Sequence, residues 1–445
     1  MHEHCKDCHE NCVPREEFER VVNGLLAKIA ELEAKLAKYE NPHTPPSMRI
    51  NRYPQREKSD RPPGKPKGSN GGTKIFGDPD EIIDVRKKDC DRCHMELKEP
   101  LGYVAKKIIV IPEVKSKIIE FRLADYGLCG CGARNIAKHP QCPTEGNASA
   151  STLAFVQELR ITERLSIGLT LRFLKERFGV EFSPGAIVSF TGRTAEFLKH
   201  EHFKLVNKIR NSAVLYIDET GFYINGKRIW MWIFTNGKDV VIAIDKSRGS
   251  KVISNMIGEN FRGIVVSDCF SAYLRHQIRY GTRFQKCWAH LLREAKACAQ
   301  ELEEGKALNE ELKIIFGSIR SFIDSNPSEE LRLSEYERLL KSLDSIISRV
   351  YKEHRVSKLI KRLKRYRESW LTCILVPNVE PTNNIAETSL RPHVIIRRLR
   401  GTWRSEESIE HHEILGSLTS TWHNQGLSPG KQLEKELCAI FSGAK

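Results

Sequence analysis

Two carboxylates stand where apolar strands run out, fifty residues apart. Ala213–Gly226, AVLYIDETGFYING, is an apolar run rich in β-branched residues that ends on Asp218 and Glu219 before Thr220 and Gly221. Gly263–Cys269, GIVVSDC, repeats the device and ends on Asp268. An apolar run bounded by a turn signal predicts a buried central strand. A carboxylate at its end is too costly to leave bare, so it needs a cation, a basic side chain or hydrogen-bond donors. One such Asp could simply start a turn; the second copy argues for a cation. Mg²⁺ prefers hard oxygen ligands of this kind, and a His/Cys set would favour Zn²⁺. A third carboxylate, Glu387, sits in PTNNIAETSLRP, a predicted helix start with Asn at the cap. Asn384-x-x-Glu387 is also capping-box spacing, so the glutamate either serves backbone N–H groups or faces outward as a ligand. Its rivals are Glu380, which precedes Pro381, and Glu406, Glu407, Glu410 and Glu413 in EESIEHHE, a stretch that reads as a solvated helix.

Cysteines form a second chemical group. Cys90-x-x-Cys93 faces Cys129-x-Cys131 across the Val/Ile-rich Ile108–Ile119. Two knuckles joined by strands is how a zinc ribbon is built, since tetrahedral Zn²⁺ takes four ligands from two turns. The second knuckle is one residue short, so Cys142 or His139 is an alternative ligand. Near the N-terminus, His2, His4, Cys5, Cys8, His9 and Cys12 include one further pair at zinc spacing.

The elements that must position these groups follow from periodicity. Phe18, Val22, Leu25, Ile29, Leu32, Leu36 and Tyr39 recur at spacings of four and three, which predicts a coiled coil over residues 1–40 that joins copies of the chain; a single amphipathic helix packed on its own domain is the alternative. Residues 41–75 read as a basic linker, too poor in large apolar residues to fold. Residues 76–145 are the zinc-ribbon-like module. Residues 150–205 are helical, and Ser183-Pro184 before the polar helix Ala186–Leu198 outlines either a helix-turn-helix or an ordinary hairpin. Three strands, a helix, the Asp268 strand and the helix from Cys287 give the order of a ribonuclease-H-like α/β core over 211–425. Residues 300–376 have a helical period and read as an insertion, and 426–445 as a tail.

Charge narrows the class. Lys plus Arg outnumber Asp plus Glu by 72 to 57 in 445 residues, which favours a polyanion such as DNA. No apolar run approaches the roughly 20 residues of a spanning helix, and no secretory signal is visible, so the expected setting is cytoplasmic and nucleoid-associated. Arg355–Arg367 holds seven basic residues in thirteen. Within it Arg355, Lys358, Lys361, Arg362, Lys364 and Arg365, with Arg397 and Arg398 further on, are the candidate DNA contacts. Trp288 and His290 are candidates to line the site.

DETGFYINGKRIWMWIFTN, SDCFSAY, CWAHLLREAK and PTNNIAE, in that order, resemble the insertion-sequence-66 family of transposases. The resemblance implies a DDE transposase with a ribonuclease-H-like core, with Asp218, Asp268 and Glu387 as the catalytic and metal-binding triad for Mg²⁺ or Mn²⁺. It implies terminal repeats and target DNA as partners. The short Cys129–Cys131 knuckle and the Thr388-Ser389 after Glu387 depart from the family pattern. Cutting a phosphodiester and joining a 3′-OH are both in-line displacements at phosphorus, and two divalent ions supply the activated oxygen and stabilise the leaving one. A DNA-binding regulator with a dead core and a structure-specific nuclease on the same fold are the competing classes.

Overall fold

The computed structural model describes residues 15–37, 78–400 and 403–444. The Cys5–Cys8 pair, the whole 41–75 linker and Tyr39 lie outside the described residues. The chain divides into two units, Met1–Lys115 and Ser116–Lys445.

In the first unit, α1 spans Arg15–Ala37. Its Val21, Leu25, Leu26 and Ile29 are exposed. Further on, Cys90–Cys93 forms a tight turn closed by a bridge between Asp89 and Glu96. The expected Val/Ile strand over Ile108–Ile119 is not regular structure, and Ile108, Ile109 and Val110 are exposed. A strand needs a ladder partner for its N–H and C=O groups, and among the described residues no ladder forms with this stretch, whose Ser116 N–H donates singly to the Phe178 carbonyl at 3.1 Å.

The second unit is mixed α/β with a helical majority. It opens with a small hairpin, β1 (Asp125–Leu128) and β2 (Arg134–Ile136), followed by α2 (Ala150–Gln157), α3 (Ile167–Phe178) and α4 (Pro184–Arg210). The main sheet holds β3 (Val214–Ile224), β4 (Lys227–Thr235), β5 (Val240–Asp245), β6 (Ile264–Ser267) and β7 (Arg283–Lys286). Its helices are α5 (Ser250–Ile257), α6 (Ser271–Tyr280), α7 (Trp288–Glu301), α8 (Glu303–Asp324), α9 (Glu329–Ile347), α10 (His354–Arg365), α11 (Thr372–Leu375), α12 (Asn384–Arg400), α13 (Glu406–Asn424) and α14 (Pro429–Phe441).

The strand order is β5-β4-β3-β6-β7. β3, β4 and β5 are an antiparallel meander, and β6 and β7 run parallel to β3 and to each other. Asn225 and Gly226 turn β3 into β4 with φ of 47° and 75°, the positive-φ pair a two-residue hairpin demands. Side-chain alternation gives β3 two buried faces. Leu215 and Ile217 join the core with α2–α6, α13 and α14. Tyr216 joins the core with α7–α12.

The sheet's β5 edge is closed in an orderly way. The N–H groups of Val240 and Ile242 donate to the hydroxyls of Thr421 and Ser417, and that of Ile244 donates to the Glu413 carboxylate. Alternate strand residues thus meet side chains four apart on α13, which covers an edge that would otherwise pair with another chain. Glu413 therefore does not lie on a solvated helix. Burial raises its pKa to about 7.

α4 is longer than the predicted 186–198 helix. Ile187, Phe190, Ala195 and Leu198 bury one face of it. Thr194 is buried on that face, and the Thr191 and Thr194 hydroxyls donate to the carbonyls of Ile187 and Phe190 one turn back.

Candidate active site

The β3–β6 register pairs Val214 with Ile264, Leu215 with Val265 and Tyr216 with Val266, a constant offset of fifty. Continued for two residues, it brings Asp268 level with Asp218 on neighbouring strands, which lie about 4.8 Å apart. Even spacing from Tyr216 and Val266 puts both carboxylates on the α7–α12 side. Asp218 accepts the Glu219 N–H at 2.9 Å, and Asp268 accepts the Phe270 N–H at 2.9 Å. Among the described residues neither forms an ion pair. The Asp218 carboxyl is pushed well above its ordinary pKa, first by burial and then by the negative charges of Glu219, Asp268 and Glu387. Three carboxylates distant in sequence therefore share one electrostatic field.

Glu387 reaches that field because the start of α12 is pinned to β3. The Asn383 side chain donates to the Ile217 carbonyl at 2.8 Å, one residue before Asp218. The Asn383 N–H donates to Cys287 Sγ at 3.1 Å, and the Trp288 N–H to the Pro381 carbonyl at 2.9 Å. α12 starts at Asn384, the N–H of the preceding Asn383 is already engaged, and among the described residues Glu387 Oε1 accepts no hydrogen bond. The capping-box alternative falls because the helix begins one residue earlier than the spacing assumed. Burial raises the Glu387 pKa, Arg293 and Arg391 pull it back, and Asp268 pushes it up. Both arginines are exposed. His290 Nδ1 stands 3.7 Å from Glu387 Oε1. The rival carboxylates have other partners: Glu380 pairs with Arg320 and Glu410 with Lys199, both at 3.0 Å.

Trp288 does not line the cleft. It is fully buried, packs on Phe316 and Trp370, and donates its indole N–H to the Trp370 carbonyl at 2.7 Å. It anchors α7, and the large apolar ring has nowhere better to go.

Lys286 escaped the sequence reading, and Glu219 was seen there without its partners. Glu219 points to the opposite face, where Arg248 forks onto Oε1 at 3.0 and 2.8 Å and the Tyr273 hydroxyl donates to Oε2 at 2.6 Å. Lys286, at the end of β7, is buried and donates to Ser267 Oγ at 3.1 Å and to the Asp268 carbonyl at 3.0 Å. Its ammonium lies over the Phe284 and Tyr366 rings, and burial lowers its pKa to about 8. The sequence around Lys286, Thr282-Arg283-Phe284-Gln285, carried no signal for it; Glu219 was visible as the second half of the Asp218-Glu219 pair.

The basic residues divide. Arg355 and Arg362 are tied to Glu301 and Glu294 of α7. Lys358, Lys361, Lys364 and Arg365 are exposed on the outer face of α10. Arg397 donates to Thr220 Oγ1 at 3.0 Å and to the Gly221 carbonyl, so it braces β3, whereas Arg398 is exposed.

Cys90 and Cys93 belong to the first unit, and Cys129 and Cys131 to the second. The N–H groups of Arg92 and Cys93 hold the Cys90 thiol below its ordinary pKa, and that of Cys131 does so for Cys129.

The donor set at Asp218, Asp268 and Glu387 is all oxygen, and its one basic neighbour within ion-pair distance among the described residues is His290 beside Glu387, which fits a hard divalent cation. Among the described residues no helix is long and apolar enough to cross a membrane. A family model described as "Transposase IS66 family" matches residues 145–411, more than half of the chain. The match contains all three carboxylates and both faces of the sheet. No curated protein matches the sequence.

Proposed function

The chain belongs to the IS66 family of transposases, and from that premise we propose that it cuts the ends of a mobile element and joins them to target DNA through a ribonuclease-H-like DDE core. The observation that carries this reading is the fifty-residue register between β3 and β6, with Glu387 in the same field. The sheet order, an antiparallel meander flanked by two parallel strands, supports the core assignment.

In this reading Asp218, Asp268 and Glu387 hold Mg²⁺ or Mn²⁺, which would supply an activated oxygen nucleophile and stabilise the leaving oxygen. The protein's part is positioning. Asp218 is fixed by a buried strand, and Glu387 by the Asn383 bond to that strand. Lys286 ties the Asp268 backbone to β7 and so sets where its carboxylate points. Arg293 and Arg391, exposed beside Glu387, are placed to contact phosphates, as are Lys358, Lys361, Lys364, Arg365 and Arg398. The exposed apolar residues of α1 support self-association, and the N–H-lined cysteine knuckles support structural Zn²⁺.

The test is incubation of the protein with a pre-cleaved element end and a plasmid target in Mg²⁺. Joined product is expected from the native chain and not from Asp218→Asn. Cutting without joining would make it a nuclease, and specific binding without chemistry would make it a regulator.

A further inference from the structure

The first turn of α7 carries donors that the carboxylate chemistry does not use. One ligand atom from each of Cys287, His290 and Glu387 lies within 4.8 Å of the other two. Cys287 is the N-cap of α7 and His290 stands one turn on, so both side chains share a helix face. Glu387 comes across from the first turn of α12. The two helix starts are locked together by the Asn383 N–H bond to Cys287 Sγ and the Trp288 N–H bond to the Pro381 carbonyl. Ligands held by two helix termini are preorganised in the way a metal site requires.

The chemistry of this set differs from that of the three carboxylates. Thiolate, imidazole and carboxylate are the ligands of Zn²⁺ and Cd²⁺, which accept three protein donors and leave a fourth position open. Mg²⁺ does not take sulfur. Burial pushes the Cys287 thiol up to about 11 against the N–H groups of Asn383, His290 and Ala289, so the ion itself must displace the thiol proton as it binds. Glu387 Oε1 is buried and accepts no hydrogen bond, so it retains ligand capacity. Cys287 is buried, but the His290 and Glu387 side chains are 17% and 35% exposed and leave an approach from solvent.

We propose that Cys287, His290 and Glu387 form a binding site for a thiophilic divalent cation of the zinc class, and that filling it draws Glu387 out of the carboxylate trio. Such an ion would hold strand joining in check without touching Asp218 or Asp268. The inhibitory half rests on the reading of Glu387 as a hard-cation ligand; the binding half does not.

Cadmium NMR of the full-length protein tests the site, because a one-thiolate cadmium resonates far from the multi-thiolate signals that the paired cysteines would give. The expected spectrum contains a one-thiolate resonance that disappears in Cys287→Ser and in His290→Asn and persists in Cys93→Ser. Circular dichroism confirms that each variant is folded, and His290→Asn serves if Cys287→Ser is not. A native spectrum without that resonance, or one that keeps it in the folded variants, overturns the site. End joining in Mg²⁺ with added Zn²⁺ tests the inhibition, each variant scaled to its own rate without Zn²⁺. Losing one ligand should raise the half-inhibiting Zn²⁺ concentration about tenfold or more in Cys287→Ser. A cadmium signal without Zn²⁺ inhibition would leave the site standing and contradict the role given to Glu387. No cadmium signal, with joining still lost in Glu387→Gln, would do the reverse.

Discussion

Asp218 and Glu219 are neighbours on one strand and meet opposite fates. Glu219 faces the α5–α6 side, is 2% exposed, and has a forked arginine and a tyrosine hydroxyl on its oxygens. Asp218 faces the α7–α12 side, and its electrostatic neighbours are carboxylates. Burial raises both pKa values, so burial alone does not mark function. What differs is whether the fold supplies the countercharge. The cations of α10 repeat the contrast: Arg355 and Arg362 are matched by glutamates, whereas Lys358, Lys361, Lys364 and Arg365 face outward.

The largest expected effect separates the two carboxylates directly. Asp218→Asn should lower end joining by about a thousandfold or more, some 4 kcal/mol of lost metal-assisted stabilisation. Glu219→Gln should slow joining far less, and above about pH 7, where burial disfavours the ionised carboxylate, it should change stability by no more than about 1 kcal/mol. Urea unfolding beside the joining assay reads both. If Glu219→Gln abolished joining at native stability, the partnered carboxylate would be a chemical one and the comparison would fail.

Glu387 comes next. Glu387→Gln should cost about a hundredfold in metal affinity while its melting temperature barely moves. Glu380→Gln and Glu410→Gln break exposed ion pairs with Arg320 and Lys199 and should change stability by under about 1 kcal/mol and leave joining intact. Joining lost in Glu380→Gln but kept in Glu387→Gln would move the third ligand.

The pH dependence of stability sharpens the contrast in the absence of metal. The folded-state pKa of Glu219 is raised from 4.5 to about 7. Its contribution is therefore fully present below about pH 4.5 and is lost as pH rises through about 7. Asp218, raised as well, acts in the same direction. With chelator present, urea-unfolding stability should fall across that window, and Glu219→Gln should flatten part of the fall. A stability that rose over the same range would contradict the burial of these groups.

The smallest effect concerns the cations. Neutralising Lys358, Lys361, Lys364 and Arg365 should weaken binding to all DNA sequences alike. The logarithmic salt slope should fall by roughly 0.9 for each phosphate contact removed. Neutralising Arg355 and Arg362 should leave the slope nearly unchanged, because their charges are matched within the fold. Equal slopes for the two sets would show that pairing in the free protein does not decide which cations meet DNA.

Much of the carboxylate side was legible in the sequence. The apolar runs before Asp218 and Asp268 marked the central strands, although β3 runs on past Asp218 to Ile224, and the parallel register between them was not read from the sequence. Glu387 was visible as a residue of a helix's first turn, but what fixes that turn, the bonds of Asn383 to Ile217 and Cys287, comes from more than ninety residues away. Distance in sequence hid the rest. Arg248 and Tyr273 reach Glu219 from 29 and 54 positions on, and Glu413 meets β5 across 169. A charge run such as that of α10 fixes the number of cations but not their partners, which is why the sequence could not show that Arg355 and Arg362 meet Glu301 and Glu294 or that Arg397 meets Thr220 and Gly221. Trp288 shows the converse: the motif around it suggested chemistry, and the size of the ring decided for the core.

Manganese binding followed by electron paramagnetic resonance tests the central claim most directly, since it reads the cation without requiring DNA or turnover. The native protein should bind Mn²⁺ with Mg²⁺ as a competitor. Asp218→Asn and Asp268→Asn should lose that binding, and Glu219→Gln, one residue away on the other face, should keep it. Binding that survives Asp218→Asn and vanishes in Glu219→Gln would contradict the account.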